Sequence, residues 1–435
     1  MSNLNASMAK NVNADVHSQP NDHGAGGPAP LKGLKVLDMS RVLAGPWIAQ
    51  LLGDLGADVV KIESPSGGDD ARQLGVALDE GEPASRGRNS SFFLACNRNK
   101  RSIALDLAHP DGKAVVCQLV QDCDVLVENF KAGGMQRFGL GWDVLSEINP
   151  RLIHCSVTGF GQDGPYASQP AYDFIMQAMT GMMSSCGLPD GMPGATPMRT
   201  SIPTTDLVTG YQACISILAA LIQRGLTGRG QFIDAAMLDA SVSFNVHLAQ
   251  GFLMGFDVPK RQGNNNPIAS PSGVFQSADG WLVIAAGNDR QFDGLCIALQ
   301  AGPLREQAQF SSNPERVTNR GRLNDILEPI IRSKSTAHWL QSLQRAGVPC
   351  TSINDMREVF EDAQVKHRRM VVEVLQEGGK KVPILRSALN MSNYEVTYKA
   401  PPKLAEHTRE VLREWANLDN TQIDALLRSG AASAR

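Results

Sequence analysis

Much of the familiar chemistry of enzymes is missing from this chain, and each absence narrows what it can do. Its eight cysteines stand singly at 96, 117, 123, 155, 186, 214, 296 and 350, with no CxxC pair. That removes a dithiol redox motif and a cysteine zinc site, and predicts reduced, mostly buried thiols in a cytoplasmic protein. The eight histidines show neither HxH nor HxxxH spacing, so no metal site is expected. GxSxG, a Walker loop and HExxH are all absent. No apolar run approaches the roughly 18 residues of a membrane span; the longest, around Ala213 to Ile222, stops well short. Before Lys32 the only cation is Lys10, and no apolar core precedes it, so neither a transit nor a signal peptide is read there. Net charge is only -3, with both signs scattered, which argues against a nucleic-acid partner. A phosphorylated ligand stays open, because it needs only a few local cations.

The 435 residues, 42% of them apolar and 20% charged, fit an ordinary globular chain of two domains. Residues 1–30 are rich in Asn, Ala, Gly, Pro and Ser and are expected to form a disordered tail. LKVLDM (34–39) then reads as a buried strand, and Pro46 suits the first turn of a helix running to about Leu55. Gly56 ends that helix, and ADVVKIE (57–63) is a second strand, giving a βαβ unit with short connections. Helices near 110–121 and 142–148 alternate with strands at 124–128 and 152–157. A strongly apolar helix from Asp206 to about Arg224 is expected to close at Gly225, before a strand at 231–237. The expectation is α/β: a doubly wound, Rossmann-like large domain over 31–230, then a linker over 231–262. The Asp279-Gly280 turn between Val274–Gln276 and Trp281–Ala285 signals a hairpin and opens a smaller α+β domain over 263–360. Residues 361–435 are expected to carry a second hairpin across Gly378-Gly379 and two closing helices, and to return to the large domain.

The acids at junctions are the chemistry that remains. Glu63 ends the second strand where a ribose-binding acid would sit, but the preceding turn reads SRVLAGP and lacks the glycines that admit a pyrophosphate. Asp206 follows Pro-Thr-Thr and precedes the long apolar helix; Asp173, in AYDFIMQAMTG, precedes another. On spacing alone each reads first as a helix cap, which satisfies free N–H groups, although the same geometry also keeps a carboxylate ionised and available to a ligand.

Longer blocks go further. LKGLKVLDMSRVLAGPWIAQLLGDLGADVVKIESPSGGDDAR (31–72), NRNKRSIALDL (97–107), DVLVENFKAGGMQRFGL (124–140), NPRLIHCSVTGFGQDGP (149–165), TDLVTGYQACISILAAL (205–221) and EHTREVLRE (406–414) resemble, in order, the family III CoA-transferases. The resemblance implies that Asp206 is the nucleophile and Asp173 an auxiliary acid beside it. It implies CoA contacts at Leu43 and Ala44, through their backbone, and at Leu105, Asn129, Phe130, Lys131, Arg137 and Tyr172. Arg137 could pair a CoA phosphate bidentately; Lys100 and Arg101 could do so or lie on the surface. CoA is then a thioester substrate, with no permanently bound cofactor, and the other partners are carboxylic acids and a second copy in an interlocked homodimer.

Where the formyl-CoA members carry a glycine-rich loop this chain reads GNNNPIASPSG, and their arginine after the second strand is Ser64 here. GWLVIAAGNDRQF (280–292) and the approach from Arg199 to Asp206 look closer to the branch that transfers CoA between succinate and glutarate or hydroxymethylglutarate. The alternatives are an α-methylacyl-CoA racemase-like enzyme, in which a His-Asp pair replaces Tyr172-Asp173, and a CoA-binding protein without catalysis.

Overall fold

The structure, a computed structural model, describes residues 27–77, 89–376 and 379–435. Of the expected tail, residues 1–26 lie outside the described residues, as does Gly378 of the second hairpin.

Seven strands form the central sheet: β1 (Lys35–Asp38), β2 (Asp58–Glu63), β3 (Lys100–Leu105), β4 (Val125–Glu128), β5 (Ile153–Thr158), β6 (Gln231–Ala236) and the last, Ala432–Ser433. Their order runs from Ala432–Ser433 through β3, β2, β1, β4 and β5 to β6. All pairs are parallel except the Ala432–Ser433 edge, which runs antiparallel to β3. The strand order therefore reverses between β1 and β4, the switch point of a doubly wound sheet. Residues alternate between two apolar layers, as a pleated strand requires. Val36, Val59, Val125 and Ile153 face the helices Ala44–Asp54 and Thr204–Thr227, through Ile48, Leu52, Ala213 and Ile217. On the other face Leu37, Val60, Ile103 and Leu126 meet Val116 and Leu119 of the Pro110–Val120 helix and Val411, Ile423 and Leu426 near the C-terminus.

The first βαβ unit falls within a residue or two of its expected bounds, and Gly56 ends the helix with φ +93. Strand β3 has no counterpart in the sequence reading. Its first side chain, Lys100, is charged yet wholly buried, where it meets Asp38 at 2.8 Å. In the 231–262 segment, placed as a linker between the domains, the strand expected at 231–237 is β6, an edge strand of the main sheet, and the chain continues in the helices Met237–Phe244 and Val246–Leu253. The apolar helix runs to Thr227, past Gly225, and stops at Gly228 with φ +73. It is long and apolar enough to cross a membrane by length and composition, and one face packs on the sheet.

Three antiparallel strands, β7 (Ser272–Gln276), β8 (Trp281–Ala285) and β9 (Cys350–Ser352), pack on the helices Asp289–Ala298, Arg320–Arg332 and Thr336–Arg345 around a separate core. A further hairpin pairs β10 (Val371–Leu375) with β11 (Lys381–Leu385). All eight cysteines are free thiols, and 96, 123, 155, 214 and 296 are buried.

Candidate active site

Asp206 is not a cap. The Thr204–Thr227 helix begins after Pro203, which places Asp206 third in its first turn. The cap comes from another element. Asp173 opens the Asp173–Met179 helix, and its Oδ1 accepts both the Thr205 N–H (2.8 Å) and the Thr205 hydroxyl (2.8 Å). Its Oδ2 accepts the Gln177 amide at 2.8 Å. Asp173 therefore caps the helix that carries Asp206 rather than its own, and both its oxygens are occupied.

Asp206 differs sharply from its neighbour. It is half-buried, and its carboxylate has no hydrogen-bond partner among the described residues. Burial, and secondly the charge of Asp173, push it up to about 7. Two carboxylates thus share a site in different environments: Asp173 has donors on both oxygens, and Asp206, without them, is the one pushed upward. Gly210, one turn further along, packs against the Ala44 carbonyl and the Trp47 ring; a Cβ there would come within 3.2 and 3.0 Å of them. That close approach joins the start of the Asp206 helix to the start of the Ala44–Asp54 helix, at Leu43 and Ala44.

The carboxyl ends of β1 to β4 enclose a cavity of about 260 Å³. Leu105 and Phe130 line it together with Arg41, Lys61, Asp69 and Phe138. Phe130 and Phe138 stack edge to face at 5.9 Å, and Gly134 lies so close that a Cβ would meet Phe130 at 2.8 Å. Lys131 and Arg137 are exposed beside this aromatic pair. The structure thus brings Leu105 and Phe130 together in this crevice, with Lys131 and Arg137 exposed next to Phe130 and Phe138 in the chain; Leu43 and Ala44, which follow the lining residue Arg41, are buried and do not line it. Asn129 stands apart, because its side chain is spent on protein: Oδ1 accepts the Arg41 N–H and Nδ2 donates to the Arg41 carbonyl, each at 2.8 Å. Tyr172 is 72% exposed, immediately before Asp173.

The remaining charges turn inward. Glu63, at the ribose-acid position, receives Arg72 through two bonds of 2.7 Å and Ser102 at 2.6 Å, so it has no capacity for a ligand. Lys100 is buried against Asp38, the Asn97 side chain and the Pro46 carbonyl, and Arg101 pairs with Asp58, Glu410 and Glu414. Neither is a free surface cation. Sequence reading passed over Arg41, Lys61 and Asp69, although SR and GGDDAR sit in the very turns that wall the crevice. No group of three metal-ligating side chains occurs among the described residues.

Comparison with known proteins gives the family. The model of CoA-transferase family III matches residues 31–408. The chain is 40% identical over 395 residues to a succinate–glutarate CoA-transferase of Agrobacterium fabrum, covering 90% of this chain and 97% of that protein. It is 39% identical over 402 residues to a succinyl-CoA:glutarate CoA-transferase of Mus musculus, covering 92% and 90%. A solved CAIB/BAIF family protein from Brucella suis superposes with a TM-score of 0.80 at 40% identity, covering 89% of this chain and 100% of that one. A family match over most of the length, relatives at this identity and a shared fold lead to one conclusion: the chain belongs to CoA-transferase family III and is a CoA-transferase.

Proposed function

We propose that this enzyme moves CoA from succinyl-CoA to a short dicarboxylate, with Asp206 as the covalent nucleophile. The observation that carries the reading is the carboxylate of Asp206, half-buried, without a hydrogen-bond partner among the described residues and pushed up to about 7. A carboxylate stripped of donors is a stronger nucleophile than one solvated by water. Its oxygen attacks the thioester carbonyl, the C–S bond breaks, and CoA leaves as the thiolate, giving an acyl-aspartyl anhydride. The thiolate then attacks the aspartyl carbonyl, which expels the donor acid as its carboxylate and leaves an aspartyl-CoA thioester. The acceptor carboxylate reverses both steps and restores Asp206. No water or external proton is consumed, and each step passes through an oxyanion that N–H donors would stabilise.

Asp173 acts as the auxiliary acid by fixing Thr205 and raising Asp206. Leu105 and Phe130 give CoA an apolar wall, Lys131 and Arg137 reach its phosphates, Leu43 and Ala44 offer backbone groups, and Tyr172 flanks the acyl group. Only ionised Asp206 attacks, so kcat/KM should rise with pH up to about 7 and level off above it. A flat profile from acid to alkaline pH contradicts the assignment.

The dicarboxylate preference is supported by the names of the two glutarate-using relatives and by the position of Arg199. Its guanidinium lies 5.4 Å over the Phe174 ring, next to Asp173, and donates to the Thr200 carbonyl at 3.2 Å. Thr200 in turn donates to Gln177, the partner of Asp173. Arg199→Met should raise KM for glutarate about ten- to a hundredfold, the loss of a hydrogen bond to a charged group, and hardly affect acetate. A panel of acceptors with succinyl-CoA as donor tests the reading directly. Glutarate and succinate should exceed acetate and long-chain acids, and equal rates would refute it.

We further propose an interlocked homodimer. Tyr211, Ile215, Ile222 and Leu226 form an apolar stripe on the solvent side of the long helix, with Leu226 87% exposed. Phe252, Leu253 and Phe256 extend the apolar surface on the next elements. A second copy covering this face matches a pair that stays associated on dilution until it unfolds; a monomer by light scattering at micromolar concentration refutes it.

A further inference from the structure

The turn after β1 holds one residue in a conformation it would not choose. Val42 has φ +68, the left-handed region, where a β-branched side chain is strained. Every backbone polar group from Ser40 to Val42 is held by a side chain. Ser40 N–H meets Asp38 at 3.0 Å, and the Ser40 carbonyl receives Lys61 at 2.7 Å. Arg41 is gripped at both N–H and C=O by Asn129, each at 2.8 Å. Val42 N–H reaches Asp69 at 3.0 Å, and its carbonyl takes the Cys96 thiol at 3.5 Å. The next two residues are Leu43 and Ala44: Arg41 lines the crevice, and the Ala44 carbonyl packs against Gly210 of the Asp206 helix.

Asn129 arrives from the turn after β4, across the switch point where the strand order reverses. Among the described residues it is the one holder that grips both backbone groups of a single residue, and it is partly exposed rather than locked into the charged core. We infer that Asn129 is a positioning residue: it clamps the strained Arg41–Val42 turn so that the Leu43–Ala44 backbone is preset for CoA, rather than binding CoA through its own amide. This rests on the reading of the crevice as the CoA site.

The test is a double-variant cycle with free coenzyme A, titrated calorimetrically, alongside steady-state rates with succinyl-CoA. Asn129→Ala should weaken CoA binding and raise KM about tenfold, as expected for two lost hydrogen bonds, with kcat within about twofold. Val42→Gly alone should change little. In the Asn129→Ala background Val42→Gly should recover most of the loss, because glycine takes positive φ without strain and the turn keeps its shape unclamped. If the loss is the same with and without Val42→Gly, Asn129 touches CoA itself and the proposal fails. If Asn129→Ala binds CoA as tightly as the wild type, the turn needs no clamp and the proposal also fails. Wild-type protein that does not bind coenzyme A would overturn the crevice reading, a separate outcome that removes the ground for both.

Discussion

Asp206→Asn is expected to lower transfer by on the order of 10⁴-fold or more, the scale seen when a covalent nucleophile is removed. Asparagine keeps the shape of the side chain but cannot form the anhydride. Coenzyme A binding should stay within a few-fold, because Asp206 does not line the crevice and makes no hydrogen bond among the described residues that would be lost. The same variant should be more stable at neutral pH. Asp206 titrates at about 7 in the folded chain and near 4 in an unfolded one, so between these values the folded state binds more protons. Its contribution to stability therefore falls as pH rises from about 4 to 7 and stays lost above. Replacing it should recover on the order of 2–4 kcal/mol at pH 8, seen as a higher unfolding temperature, and nothing at pH 4. A variant with wild-type turnover, or a gain in stability that does not depend on pH, would contradict the assignment.

The second large effect is structural. Asp38→Ala should destabilise the sheet by about 3–5 kcal/mol, because it leaves two buried ammonium groups short of a counter-charge. Asp38 lies 2.8 Å from Lys100 and 3.7 Å from Lys61, and all three side chains are wholly buried. Burial pushes Asp38 upward, but Lys100 and then Lys61 outweigh it and hold the carboxyl below its usual range. Glu63, through Arg72, and Asp69, through Lys61, are depressed in the same way. Their stabilisation is present above the ordinary carboxylate range and is lost as pH falls through the lower folded values, so this network sets the acid limit of the fold. Urea unfolding at pH 7 measures the Asp38→Ala effect, and a loss below about 1 kcal/mol would show that the lysines find other partners.

The sequence made the local rules readable and the distant ones invisible. The first βαβ unit was legible because Pro46, Gly56 and two apolar strands each obey a short-range rule. Strand β3 was not, because Lys100 at its start looks like a surface residue until Asp38, 62 positions away, is seen beside it. The catalytic candidates divide in the same way. Resemblance selected Asp206 and Asp173, but their helix positions suggested two self-caps. The actual cap runs from Asp173 to Thr205 across 32 residues. Asn129 was legible as a member of the site and illegible in its action, which lies 88 residues back at Arg41.

The central claim is that CoA passes through a covalent bond to one carboxylate. Intact-mass measurement of the protein after brief incubation with succinyl-CoA tests it most directly. The account predicts a fraction of chains heavier by one coenzyme A joined as a thioester, mapped to Asp206 by peptide mass spectrometry and discharged by hydroxylamine or by acceptor acid. Asp206→Asn should show none. A wild-type enzyme that turns over with no adduct at Asp206, or an adduct that persists in the Asp206→Asn chain, would contradict it.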